Sequence, residues 1–431
     1  MLERLFALET FGVKLGLANI TALCERLGHP ERAFASVHIA GTNGKGSVAA
    51  MVHAGLVAAG IPAGRYTSPH LADLTERFVL DRAAVEPSEL GSVADTVLDA
   101  AEYLVREGTL PNPPTFFEAT TAIAFEIFRR HRVQVAVIEV GLGGRFDATN
   151  VIVPKVAAIT SIAFDHEAQL GRTLESIAYE KAGIIKEGVP VVTGPLPPAA
   201  AAMIARVAGA QHAALLPARQ QVGVSARTMV DGRACLNVTT DLHQYHEVAL
   251  ALRGEHQIDN ARVAIAVLET LKNRGFAIPF PAIARGLAQA DWPGRLELLE
   301  LGGGRRVLMD AAHNADGAAA LARHLAAWHP SRPALVFGAM RDKDVAGMLR
   351  ALAPVVGRII ATSPANARAE QTSTIAAAVR ALDPARDVVE VPGPMMAVEE
   401  ALRGSAEVCV AGSIFLIGEV RDPLRRRAIL P

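Results

Sequence analysis

The sequence predicts an α/β protein of two domains, each built on a mostly parallel sheet covered by helices. Three observations carry this expectation. Apolar, β-branched runs alternate with helical patterns through much of the chain, the rhythm of parallel sheets with helices on their faces. Residues 36–51, SVHIAGTNGKGSVAAM, have the pattern of a short strand, a glycine-rich turn and the start of a helix, which makes the first domain P-loop-type. Residues 291–295, DWPGR, form a Pro-Gly breaker after a helical segment, and the strand–helix rhythm restarts beyond it. At 431 residues the chain also exceeds the size at which single cores stop growing. The expected domains are therefore 1–292 and 298–431.

In chain order, the first domain has expected strands at 37–40, 135–140, 156–161 and 189–193, and helices at 48–59, 120–130 and 261–273. Residues 211–250 are the least regular stretch and suggest a β-rich excursion. The glycine-rich segment 301–304 suits a hairpin turn better than a second phosphate loop. Strands are then expected at 306–309, 334–337, 358–361, 388–391 and 408–410, separated by helices. No internal repeat is visible, and no low-complexity tract beyond alanine-rich helices.

Composition narrows the function. Hydrophobic residues make up 51% and charged residues 20%, which describes a globular chain and excludes a disordered one. Net charge is −1 with no basic tract, so nucleic acid is not the expected partner; a local pocket for small anions remains open. Cys24, Cys235 and Cys409 are scattered, with no C-x-x-C spacing for zinc and no even set for disulfides. They suit reduced thiols. Residues 1–12 carry acidic side chains and no long apolar run or cleavage site, and no apolar run is long enough to span a bilayer. The expectation is a cytoplasmic, soluble protein with no membrane partner, and a monomer.

The phosphate loop is the sharpest signal. Gly41, Gly44 and Gly46 let the backbone bend tightly and turn several N–H groups inward, where a polyphosphate sits at a helix N-terminus. Lys45 supplies a charge for the β- and γ-phosphates, and the Ser47 hydroxyl is placed to reach Mg²⁺. In the usual pattern the hydroxyl follows the lysine directly, whereas here Gly46 intervenes. A solvated lysine in a plain strand-to-helix turn is the alternative. The strand before, the helix after and the lysine's position favour nucleotide binding. Glu139 ends one expected strand and His166 follows another, so both belong to the carboxyl ends that line the ligand crevice of such sheets.

GTNGKGS resembles the phosphate loop of the Mur ligase superfamily, ATP-dependent enzymes that join a carboxylate to an amino acid. YTSPHL at 66–71, ERF at 76–78, TFFE at 115–118 and EVGLGGRFDATN at 139–150 narrow the resemblance to the folylpolyglutamate synthase and dihydrofolate synthase branch. SIAFDH at 161–166 and EKAGIIK at 180–186 follow in the family's order, then HQIDNA, PGRLE, DAAHN, DKD and GSIFLIGEV. The resemblance spans nearly the whole chain. It implies that the second domain is the smaller, Rossmann-like ligase domain of that architecture.

The resemblance also implies residue roles. Gly44, Lys45, Gly46, Ser47, Asn260, Arg295 and Asp310 match positions that contact ATP. Ser68, Glu139 and His166 match ligands of Mg²⁺; a lone His166 would suit a capped turn equally well. Lys181 matches a lysine that carries a carbamate, against the plainer reading of a packed stem with its head in water. Thr115, Phe116, Phe117, Glu118, Phe146, Asp147 and Ala148 match the pterin site, as do Lys14, Leu15, Gly16 and Leu17. Two adjacent aromatics are otherwise ordinary core. An acidic residue is common where Lys14 stands, and the GRFDATN form is similar to bifunctional members. His313 is a nearby site residue without an assigned role.

The expected activity is therefore that of a ligase with catalytic residues Lys45, Glu139, His166 and Lys181 and with ATP and Mg²⁺ as cofactors. It would add L-glutamate to dihydropteroate and further glutamates to folates through an acyl phosphate. A monofunctional folylpolyglutamate synthase is the nearest rival. A P-loop switch protein, which would turn over nucleotide without an amide product, leaves TFFE and GRFDATN unexplained. A peptidoglycan ligase fits SPHL and TFFE less well.

Overall fold

The computed structural model describes residues 2–8 and 16–428. Its first sheet holds β1 (Ala35–Ala40), β2 (Ala63–Tyr66), β3 (Phe78–Leu80), β4 (Ala83–Ala84), β5 (Val135–Glu139), β6 (Val156–Ile159), β7 (Val191–Thr193) and β8 (Leu215–Pro217). The strand order is β4-β3-β2-β5-β1-β6-β7-β8. Only the β2–β3 and β3–β4 pairs are antiparallel.

Alternation across the pleat builds two cores. Val135 and Val137 of β5 face one side with the helices Lys45–Ala58 and His256–Asn273, while Ala136 and Ile138 face the other with Pro87–Arg106 and Phe116–Arg130. Strands buried on both faces tolerate few polar groups, which is why they are near-continuous apolar runs in the sequence. Each fully buried Val or Ile contributes roughly 1.5–3 kcal/mol.

The irregular stretch is β-rich, as expected. After β8 the chain forms β9 (Gly223–Val230), β10 (Arg233–Thr239) and β11 (Gln244–Arg253), an antiparallel sheet whose inner face joins the first core. The second large sheet holds β12 (Glu297–Glu300), β13 (Arg306–Asp310), β14 (Ala334–Phe337), β15 (Ile359–Ala361), β16 (Val388–Glu390) and β17 (Glu407–Ala411), ordered β12-β13-β17-β14-β15-β16. All its pairs are parallel except β12–β13, whose connection through Gly302, Gly303 and Gly304 is the expected hairpin turn.

Element ends shift for local reasons. The helices begin earlier than periodicity suggests because caps set their starts: Gly44 is left-handed (φ 86°), and Thr115 and Glu118 form a reciprocal capping box. The third expected strand stops at Ile159 because Thr160 and Ser161 leave the sheet to bond the phosphate loop. Among the described residues no helix is long and apolar enough to cross a membrane.

Candidate active site

The phosphate loop connects β1 to the helix Lys45–Ala58, and its shape is held from outside. Thr160 Oγ1 and Ser161 Oγ donate to the Asn43 carbonyl at 2.6 and 2.9 Å. A Cβ at Gly41 would lie 2.0 Å from Thr160 Oγ1, and one at Gly44 2.5 Å from Asn260 Oδ1, so neither position admits a side chain. The intervening Gly46 has the same explanation. A Cβ there would fall 2.3 Å from the Trp292 ring, which the DWPGR segment lays against the loop. The departure from the usual pattern is thus a packing requirement.

Lys45 Nζ donates to the carbonyls of Gly41 and Thr42 and lies 4.0 Å from Glu139 Oε1. Glu139 closes β5, and its Oε2 accepts from the Ser68 N–H at 3.3 Å. Burial pushes the Glu139 carboxyl above its ordinary value, opposed by the Lys45 charge. Lys181, buried at the end of the helix Leu174–Ala182, donates to the Gly41 carbonyl at 3.0 Å. Burial, reinforced by Lys45, lowers its pKa to about 7. His166 stands on a left-handed backbone (φ 50°), its Nε2 3.4 Å from Lys343 Nζ. Burial, against the pull of Asp165, brings its pKa down to about 4, so the ring is neutral at pH 7.

One cavity gathers Gly44, Lys45, Gly46, Ser68, Glu139, His166, Lys181 and Arg295 on its wall, with His313 opposite. Ser47 is adjacent but buried, its Oγ accepting from Gln257 Nε2 at 3.3 Å. Gln257 Oε1 in turn accepts from Asn260, so this glutamine ties two expected nucleotide contacts together. Asp310 spends both oxygens on backbone, accepting from the Leu296 and Ala312 N–H groups at 2.9 Å, and so clamps the segment that carries Arg295.

The described residues matched to the pterin site form a separate cluster and line neither the phosphate cavity nor the cavity beside it. Thr115 and Glu118 cap their helix, and Glu118 also accepts from Asn19. Phe116 stacks on Phe6 and under Arg77, while Phe117 packs on Gly141 and Tyr66. Asp147 is buried: Oδ1 accepts from the Thr149 N–H and hydroxyl, and Oδ2 from the Leu142 N–H. Ala148 is buried beside it, while Phe146 is exposed under the Arg145 guanidinium. The Gly16 N–H reaches the Phe146 carbonyl and brings Leu17 near; Lys14 and Leu15 lie outside the described residues.

Residues 39–268 match the Mur ligase middle domain, and 294–415 match the Mur ligase, glutamate ligase domain. A dihydrofolate synthase/folylpolyglutamate synthase of Bacillus subtilis is 35% identical, with 96% of each chain covered. The chain belongs to the Mur ligase family, in its dihydrofolate synthase/folylpolyglutamate synthase branch. The ligase superposes on a Mycobacterium tuberculosis folylpolyglutamate synthase complexed with ADP and AMPPCP at a TM-score of 0.91, with 32% identity and 99% of each chain covered. An Escherichia coli FolC structure in complex with DHPP and ADP gives 0.87, with 28% identity over 98% and 97%. This family member is an ATP- and Mg²⁺-dependent ligase that forms carbon–nitrogen bonds.

The ligase's residues fit that metal. Glu139 offers a buried carboxylate oxygen, Ser68 a hydroxyl on the same wall, and His166 an uncharged ring. Mg²⁺ takes few protein ligands and completes its shell with water and phosphate oxygens. Among the described residues no three His, Cys, Asp or Glu side chains form a cage of their own.

Sequence reasoning passed over Asn43, Asp165, Asn314 and Lys343, although GTNGKGS, SIAFDH, DAAHN and DKD contain them. Asn43 and Asn314 exchange side-chain hydrogen bonds at 3.0 and 3.2 Å, and Asn314 also donates to Asp165. Their place inside motifs already singled out was the available signal.

Proposed function

We propose that this ligase adds L-glutamate to dihydropteroate and, in further rounds, to the terminal γ-carboxylate of folates. A carboxylate does not condense with an amine at neutral pH because oxide is a poor leaving group. In the proposed reaction a carboxylate oxygen attacks the γ-phosphorus of ATP, the bond to ADP breaks, and an acyl phosphate forms. The glutamate nitrogen, having lost a proton to leave a free amine, then attacks the acyl carbon and inorganic phosphate departs.

The observation that carries this reading is the meeting of Lys45, Glu139 and Lys181 from the first sheet with Arg295 and His313 in one cavity. Lys45 and the loop N–H groups hold the phosphates, while Arg295 offers a planar fork for their oxygens. Glu139, Ser68 and His166 would hold Mg²⁺, which neutralises charge on the transferring phosphoryl group. Lys181, as a carbamate, presents a carboxylate where an ammonium would repel the metal. Asn260 orients the nucleoside, and Asp310, matched to a further ATP contact, holds the segment that carries Arg295. The Thr115–Glu118 and Phe146–Ala148 cluster receives the pterin, whose ring has flat apolar partners in Phe116 and Phe117. Residues 1–292 and 298–431 act as two lobes that close on this centre.

Mass spectrometry of products tests the reading, after incubation with ATP, Mg²⁺, L-glutamate and either dihydropteroate or tetrahydrofolate. One added glutamyl unit on each acceptor is expected. ADP release without an amide product would overturn it, and product from tetrahydrofolate alone would reduce it to a folylpolyglutamate synthase.

A further inference from the structure

Arg65 lies in β2, in register with Val137 and therefore two residues before Glu139 on the same face of the sheet. Its guanidinium stacks over the Trp292 ring at 5.1 Å from the centroid. The same ring closes on Gly46, so the charge is pinned beside the phosphate loop. Among the described residues Arg65 makes no hydrogen bond or ion pair, and its Nε is enclosed without a partner. Burial lowers its pKa to about 10, with Asp291 and Glu139 opposing from beyond ion-pair distance. A part-buried guanidinium with its Nε enclosed and no counter-charge within reach among the described residues favours an anion.

That anion has room. Arg65 lines a cavity of about 490 Å³ that shares Ser68, Glu139 and Arg295 with the phosphate cavity. The acids on its wall are committed or remote. Glu76 accepts from the N–H groups of Leu71, Ala72 and Asp73, and Asp81 from that of Ala63. Glu139 faces Lys45, and Asp291 is exposed and forms no ion pair among the described residues.

We propose that Arg65 binds the non-reacting α-carboxylate of a glutamate-terminated acceptor while the γ-carboxylate reacts beside Glu139. The proposal rests on the ligase reading above and deepens it. A glutamate-terminated folate brings two carboxylates into the centre, and the one that does not react needs a partner once water is excluded. A guanidinium matches a carboxylate with two parallel hydrogen bonds. Dihydropteroate carries a single carboxylate, the reacting one, and makes no such demand. Arg65 thereby separates the two acceptors.

Steady-state kinetics with dihydropteroate, tetrahydrofolate and the α-amide of tetrahydrofolate test this in the wild type, Arg65→Gln and Arg65→Lys. In Arg65→Gln, KM for tetrahydrofolate should rise by about tenfold or more relative to any change with dihydropteroate. Arg65→Lys should recover part of that loss. The wild type should use the α-amide about tenfold less well than the free acid, and Arg65→Gln should use both alike. Equal changes with both acceptors, or a wild type indifferent to the α-amide, would overturn the proposal. Thermal melting checks that the variants fold, and the α-amide comparison on the wild type decides if they do not. If the wild type forms no amide from either acceptor, the ligase reading fails separately. Calorimetric binding of tetrahydropteroyl-triglutamate to wild type and Arg65→Gln then decides the subsite, equal affinities sinking it.

Discussion

Lys343 Nζ lies 2.6 Å from Asp165 Oδ1, joining two side chains 178 positions apart, each largely withdrawn from solvent. Asp165 follows β6 of the first sheet, and Lys343 follows β14 of the second. Burial alone would raise the Asp165 carboxyl. The neighbouring His313 and the Lys343 charge outweigh it and hold the carboxyl far below the usual range. Asn314 adds a donor from the same side. One carboxylate therefore gathers three groups that follow strands of the second large sheet beside the phosphate loop.

Lys343→Met should leave Asp165 enclosed with less compensation. The expected cost is about 1–3 kcal/mol in urea unfolding, because removing one member of a buried pair strands the other. kcat/KM should fall by about tenfold or more if the contact helps hold the lobes closed. Unchanged kinetics and stability together would show the pair to be dispensable.

Lys45→Ala should nearly abolish turnover, by roughly two orders of magnitude or more, since preorganised charge at the transferring phosphoryl group is lost. The fold should persist, because Lys45 donates to carbonyls of its own loop and its one carboxylate neighbour, Glu139, keeps the Ser68 N–H. Product formation and the melting temperature, measured on one preparation, decide between loss of chemistry and loss of structure.

Lys181 should take up carbon dioxide. Carbamate formation needs the neutral amine, and burial brings the lysine to about pH 7, where much of it is neutral. Isotope-labelled bicarbonate should give a carbamate NMR signal in the wild type and none in Lys181→Ala. That variant should lose activity, with partial recovery on adding acetate. An active wild type without the signal would remove the carbamate from the mechanism.

Asp147→Ala should orphan the Leu142 and Thr149 N–H groups and cost about 1–2 kcal/mol, the loss of a cap. In the proposed reading the carboxylate also accepts a pterin N–H. Dihydropteroate should therefore lose more kcat/KM than tetrahydrofolate, by roughly tenfold. Equal losses would assign Asp147 to the loop alone.

Acid should destabilise the protein through two enclosed histidines. Burial lowers His38 and His53 each from 6.5 to about 3. Between those values the unfolded chain binds protons that the folded chain refuses. Their contribution is complete above about pH 6.5 and is lost as pH falls toward 3. Replacing His38 with Gln should flatten the decline of melting temperature over that window. An unaltered slope would mean that His38 contributes nothing to it.

Many of the strand positions, the phosphate loop and the cavity residues Lys45, Glu139 and Lys181 were legible because each rests on a local signal, whereas the order of the strands in each sheet was not. Period-two apolar runs mark strands, glycines at fixed offsets mark the loop, and motif order carries the family. Boundaries slipped where a cap or a loop contact intervened, as at Thr115 and Thr160.

Tertiary structure decided the remainder. The requirement for glycine at position 46 comes from Trp292, far away in the chain and adjacent only after folding. Gln257 joins Ser47 to Asn260, Asn43 pairs with Asn314, and Lys343 meets Asp165. Whether a charge is compensated has no expression in composition or spacing: Arg65 is one arginine among many until the fold shows that no carboxylate of the described residues pairs with it. Periodicity records which face of an element is buried. The partner found there depends on packing between elements, and that is fixed only when the chain closes on itself.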